Sequence, residues 1–195
     1  MRILVACEFS GTVRNAFRAA GHDAWSCDLL PSDDDGPHIQ GDVLEHLGDG
    51  WDMMIAFPPC TYLCSSGLHW NERVPGRKEK TEDAVRFVRA LWNADIPRIA
   101  IENPIGRLSR ALRVPDQIVQ PWFFGDDASK ATCLWLKGLP KLQDRNRLPG
   151  DRSTRRANQT PSGQNKLGPS PDRWKLRSIT YPGFASAMAE QWSKS

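Results

Sequence analysis

Arg2 to Gly21, RILVACEFSGTVRNAFRAAG, is the stretch whose reading decides the fold. Arg2 to Cys7 is a short apolar run, Phe9-Ser10-Gly11 supplies a turn, and Val13, Phe17 and Ala20 then recur at helical spacing up to Gly21. This predicts a strand, a tight turn and a helix. Working outward, Ala24 to Leu29 (AWSCDL) reads as a second strand carrying Asp28 near its end. After the acidic loop PSDDDGPH, the run IQGDV (Ile39 to Val43) ends in Asp42 and Val43. Met53 to Phe57 (MMIAF) is a buried-type strand that stops at Pro58 and Pro59, because proline cannot continue a ladder. Glu82 to Trp92 places Val85, Val88, Leu91 and Trp92 on one helical face. Arg98 to Glu102 and Thr132 to Leu136 read as further strands, the former stopped by Pro104, and Phe184 to Trp192 reads as a closing helix. Strands alternating with helices imply right-handed crossovers and an α/β fold with a doubly wound, mostly parallel sheet. In such sheets ligands bind beyond the carboxyl ends of the strands. That rim here carries Glu8-Phe9-Ser10-Gly11, Asp28, Asp42, Pro59-Cys60 and Glu102-Asn103-Pro104.

The chain's 195 residues, 39% of them apolar and 25% charged, suit one domain with a substantial core. The net charge of +3 conceals an uneven distribution. Residues 1–129 hold 13 Lys and Arg against 19 Asp and Glu, net −6, whereas residues 130–195 hold 13 against 4, net +9. A basic C-terminal third points to an anionic partner, or to a solvated surface. No apolar run approaches the ~18 residues of a membrane span, and the N-terminus lacks a signal-peptide pattern. Five cysteines at scattered spacings favour free thiols and a reducing compartment. The expected location is the cytoplasm. Residues 144–172 contain two leucines and no other large apolar residue, so they are expected as a flexible basic loop between a catalytic domain (1–143) and a C-terminal segment (173–195) that packs back onto it.

Cys60 follows an apolar strand and two prolines that restrict the backbone, so its thiol is held at a strand end. It reads either as a nucleophile or as a buried, inert thiol. Glu102 ends the neighbouring apolar strand. A thiol and a carboxylic acid together suffice for one reaction, the activation of a pyrimidine. Thiolate addition to C6 with protonation of N3 turns C5 into an enamine-like carbon that attacks an electrophile.

The ordered series FSG, SCDL, GDV, PPC and IENP resembles the C5-cytosine DNA methyltransferase family, in particular its very short phage and prophage members. The resemblance spans residues 2–106 in the correct order. It implies a Rossmann-like sheet of the S-adenosylmethionine-dependent methyltransferase type, with DNA as substrate, in a bacterium or a phage-infected cell. By that resemblance Phe9, Ser10 and Gly11 hold S-adenosylmethionine, with Pro58 beside them; Asp28 binds its ribose and Asp42 its adenine. Cys60, preceded by Pro59, is the nucleophile, and Glu102, with Asn103, protonates N3. Ser66 and Trp70 lie in the loop that closes over a flipped cytosine. Downstream, PWFFGDDASKATCLWL resembles the segment that carries two alternate arginines in the family, and those positions are Lys130 and Thr132. Arg173 or Arg177 would then supply the missing guanidinium. The closing TYPGFASAMAEQW resembles the last family motif, whose helix packs back beside the cofactor.

Two departures shape the expectation. The family's glycine-rich turn continues with further glycines where this chain has Val13 and Arg14. The large target-recognition domain is replaced by residues 144–172, whose arginines, Arg155 and Arg156 among them, suit sequence-independent phosphate contacts. Low sequence specificity is expected, or a partner protein that supplies it, and nothing in the sequence sets an oligomeric state. Cys60, Cys64 and His69 lack a fourth ligand at zinc spacing, so no metal is expected. Two alternatives stay open: a related C5-pyrimidine modification using another electrophile or a nucleotide substrate, and a degenerate member that only binds nucleic acid.

Overall fold

A computed structural model describes residues 1–194. Seven strands form one sheet: β1 (Arg2–Ala6), β2 (Asp23–Asp28), β3 (His38–Gln40), β4 (Met53–Ala56), β5 (Arg98–Pro104), β6 (Gln117–Val119) and β7 (Thr132–Lys137). The helices are α1 (Thr12–Ala19), α2 (Ser65–Leu68), α3 (Arg77–Trp92), α4 (Leu108–Ala111), α5 (Arg173–Ser178) and α6 (Pro182–Trp192), with short 3-10 turns between. The spatial order is β3-β2-β1-β4-β5-β7-β6. Strands β1 to β5 run parallel, while β7 pairs antiparallel with both β5 and β6. This is the expected Rossmann-like, doubly wound, mostly parallel sheet, with β7 as its antiparallel member.

Each central strand is apolar on both faces because both faces are covered. Ile3, Val5, Met53 and Ile55 pack on one side against Val13 and Phe17 of α1 and Phe184, Met188 and Trp192 of α6. Leu4, Ala6, Met54 and Ala56 pack on the other side with Val85, Val88 and Leu91 of α3, joined by Trp135 of β7. The period-2 alternation along each strand thus divides the core into two layers on opposite sides of the sheet.

Several elements differ from the sequence expectation. The third strand is His38–Gln40, not Ile39 to Val43, because the Asp42 side chain accepts a hydrogen bond from Leu44 N (3.0 Å) and caps a 3-10 turn over Val43–His46. Helix α3 begins at Arg77, five residues before Glu82, where the sequence reading starts it. Strand β6 and helices α2, α4 and α5 are not anticipated from the sequence; each is too short to show a repeating apolar pattern.

Residues 144–172 contain no helix or named strand, yet the structure lays them on the body. Arg147 sits over Trp122 and Phe123, and Asn158 donates to Ser129 O (3.0 Å) and to the Tyr181 hydroxyl (3.2 Å). Arg156, expected to reach phosphates, is only 5% exposed; it lies over the Trp122 ring and donates to Pro149 O (3.0 Å), so it anchors the loop instead. No described helix is long and apolar enough to cross a membrane.

Candidate active site

The carboxyl ends of β1, β2 and β4 open onto a cleft of about 460 Å³, within the range of small-ligand sites. Its floor and walls include Cys7, Asp28, Asp42, Pro59, Tyr62 and Phe87. Asp28 and Asp42 each accept one backbone N–H, from Leu30 and Leu44, both at 3.0 Å, which fixes the carboxylates at the cleft wall. Burial, then the Asp28 charge, pushes the Cys7 thiol far above the ordinary range, and the same causes raise Cys27 to about 11. Both thiols stay protonated and serve as apolar lining. Cys7, Tyr62, Lys80 and Phe87 were not singled out from the sequence; the face that α3 turns to the cleft depends on its packing over β4.

Phe9, Ser10 and Gly11 do not line this cleft. Phe9 is buried, with Trp174 of α5 against its ring (6.4 Å between centroids) and Lys175 Nζ over it at 5.1 Å. Lys175 also pairs with Asp33 at 2.6 Å, so α5 straps the turn to the acidic loop. Gly11 has φ +70°, and a Cβ there would collide with the Arg14 guanidinium. Arg14 is fully buried and donates to Ser26 Oγ (2.9 Å), Ser32 Oγ (3.3 Å), Pro37 O (3.3 Å) and Asp34. It therefore occupies the space behind the turn and binds the 32–37 loop to it.

The segment carrying Cys60 is tied at three points to β5 and the residues just after it. Asn103 Nδ2 donates to Pro58 O at 2.8 Å, Ser65 N donates to Ile105 O at 3.0 Å, and Arg107 N donates to Leu63 O at 2.7 Å. Gly106 permits the last contact, since a Cβ there would run into the Leu63 carbonyl. Pro58 is buried and acts through its bond to Asn103; Pro59 lines the cleft, and Cys60, the next residue, is exposed and lines neither cavity. Loss of water on its protein side lifts the Cys60 thiol above the usual range; the Glu102 and Cys64 charges add to this, and Lys130 opposes it.

Glu102 faces a second, narrow cavity with Phe57, Lys130, Thr132, Tyr181 and Phe184. Its carboxylate accepts the Thr132 hydroxyl, and Lys130 Nζ donates to Arg177 O at 3.2 Å. Neither Arg173 nor Arg177 lines the cavity through its side chain as a substitute for the missing guanidinium; Arg173 stands half-buried at the start of α5. Tyr181 and Phe184 bring the closing segment to this cavity, while the rest of α6 packs on α1.

Beyond Cys60 the chain turns through α2, where exposed Ser66 meets Cys64 Sγ at 3.3 Å. Trp70 is 45% exposed, tilted against His69, with the Arg73 guanidinium 5.9 Å from its ring. Arg155 is exposed on the 144–172 segment, away from either cavity lining.

No family model matches the sequence, and no curated protein matches it. Solved structures do. A protein described as a DNA modification methyltransferase encoded within a prophage of E. coli aligns with TM-score 0.46 and 14% identity over 70% of this chain and 46% of its own. A triple mutant of Spodoptera frugiperda DNMT2 aligns with TM-score 0.46 and 17% identity over 80% of this chain and 53% of its own. The 16S rRNA methylase RmtB gives 0.33 and 17% over 70% and 55%. The chain spans about half the length of these structures. The fold assignment rests on the strand order above.

Proposed function

We propose that this chain methylates C5 of cytosine in DNA, using S-adenosylmethionine and a covalent Cys60–C6 adduct. The observation that carries the reading is the placement of Cys60, on the turn that follows β4, near Glu102 of the parallel neighbour β5, whose charge acts on the thiol, while Pro59 of the same turn lines a nucleotide-sized cleft. The cleft suits the adenosine part of the cofactor: two fixed carboxylates accept from ribose hydroxyls and the adenine amino group, and Pro59, Tyr62 and Phe87 offer apolar surface. When bound, the cofactor supplies an electrophilic methyl group on a sulfonium.

The chain's own residues do the remaining work. Cys60 loses its proton and its sulfur bonds to C6. Glu102 gives a proton to N3 as the C5–C6 double bond opens, leaving an enamine whose C5 is nucleophilic. After C5 has taken the methyl group, a base removes the C5 proton, the Cys60 thiolate is expelled and N3 returns its proton to Glu102, restoring the ring. Lys130, the cation in the Glu102 cavity, favours the thiolate form of Cys60. In a stacked duplex C6 is shielded, so this geometry requires a flipped or single-stranded cytosine. Trp70 and Arg73 offer an aromatic and a cationic surface beyond Cys60, and the basic C-terminal third faces phosphates.

Incubation with S-adenosylmethionine and DNA containing 5-fluorocytosine, which has no C5 proton to lose, is expected to trap a covalent complex. Cys60→Ala should abolish both the complex and methyl transfer. A Cys60→Ala protein that still methylates DNA, or a wild-type protein that gives no calorimetric signal with S-adenosylmethionine, overturns the reading. Nucleoside mass spectrometry distinguishes the alternatives: an added mass other than one methylene identifies another electrophile, and turnover on free nucleotide but not on DNA identifies the smaller substrate.

A further inference from the structure

We propose that Thr132 is the positioning residue of Glu102, holding its carboxyl through a neutral hydroxyl. This rests on Glu102 acting as the proton donor proposed above. The antiparallel register sets Glu102 opposite Leu134 and Pro104 opposite Thr132. Residues opposite each other share a face of the sheet, so Glu102 and Thr132 are diagonal neighbours on one face. The Thr132 hydroxyl, on a residue only 4% exposed, donates to Glu102 Oε1. β7 is held between β5 and β6, with Thr132 also paired to Val119, so the backbone that carries the hydroxyl is held on both sides.

The choice of partner has a chemical consequence. A guanidinium against a carboxylate favours the ionised form and opposes uptake of the proton that Glu102 must deliver. A hydroxyl orients one oxygen by a single hydrogen bond and leaves the second oxygen to carry the proton. The nearby cation, Lys130, is directed elsewhere: its Nζ is bound to Arg177 O, and its charge acts on Cys60. The cavity thus separates two tasks, an uncharged support for the acid and a positive charge for the nucleophile.

The test uses the full chain with carbon-13 in the glutamate carboxyl groups, comparing wild type, Thr132→Ser and Thr132→Val. The Glu102 carboxyl resonance at one fixed pH reports its hydrogen bond, and steady-state methylation gives kcat and KM for DNA. Thr132→Val removes the donor that orients the carboxyl, so it should shift that resonance and lower kcat about 10- to 100-fold with KM little changed. Thr132→Ser, which keeps the donor, should stay close to wild type in both. If Thr132→Val does not fold, Thr132→Ala carries the same comparison. An unchanged Glu102 resonance in the variant lacking the hydroxyl, or a Ser variant as impaired as Val, overturns the proposal. A resonance that moves in a protein that transfers no methyl group leaves the Thr132–Glu102 contact standing and removes the methyltransferase reading. Transfer with a resonance that does not move does the reverse.

Discussion

Cys60 and Glu102 act on each other before any substrate arrives. After desolvation, the Glu102 charge is the next cause that lifts the Cys60 thiol, so the two groups resist being ionised together. A neutral Glu102 therefore favours the thiolate, which is the protonation state the proposed addition needs. Glu102→Gln removes the charge but keeps the shape. It is expected to lower methyl transfer by about 10²- to 10⁴-fold through loss of the acid. The same variant should alkylate faster at Cys60 with iodoacetamide at fixed pH, because its thiol ionises at lower pH. Peptide-level mass spectrometry reads Cys60 separately from Cys64. An alkylation rate equal to or below wild type would contradict the coupling.

At the scale of the element, the start of α1 shows how a buried carboxylate can be structural. Glu8 is 5% exposed and accepts the helix N-terminal N–H groups of Val13 (2.7 Å) and Arg14 (3.1 Å). These bonds and the Arg14 charge favour its ionised form, but burial outweighs them and raises its pKa to about 6 from 4.5. Below 4.5 the folded and unfolded chains both hold the proton; between 4.5 and 6 the folded chain binds it more tightly. Stability from this group is therefore present at low pH and is lost as pH rises through about 6, by about 2 kcal/mol for a shift of about 1.5 units. Asp34 and Asp116, whose pKa values are lowered, push the opposite way, so the comparison needs a matched variant. Thermal melts of wild type and Glu8→Gln at pH 4.5 and 7.5 should show wild type losing ground to the variant at the higher pH. A stability difference that is the same at both values would contradict this assignment.

At the scale of the whole molecule, the +9 C-terminal third divides into two groups of arginines. Arg145, Arg152 and Arg155 are exposed, whereas Arg156 is buried over Trp122. If the exposed group meets phosphates, replacing Arg152 and Arg155 by alanine lowers DNA affinity and flattens log K against log salt by about 0.9 per lost contact, as fluorescence anisotropy would record. Arg156→Ala should lower the melting temperature and leave that slope unchanged. A flattened slope for Arg156→Ala, or an unchanged one for the exposed pair, would reverse the two roles.

The parallel strands, the helices α1, α3 and α6 and the rim residues were legible in the sequence, because apolar periodicity and proline stops act within a few residues along the chain. Local signals could also nominate Cys60, Glu102, Asp28 and Asp42, each just past an apolar run. They could not show that Arg14 would fill the space beside Gly11, that α5 would cover Phe9, or that Arg156 would turn inward onto Trp122. Nor could they show that β7 runs antiparallel beside β5 and so sets Thr132 against a carboxylate 30 residues away. The sequence by itself determined which segments form strands and helices and which of them end in reactive groups. Only the tertiary structure decided which groups face one another, because strand register and burial are set by the packing of residues far apart in the chain.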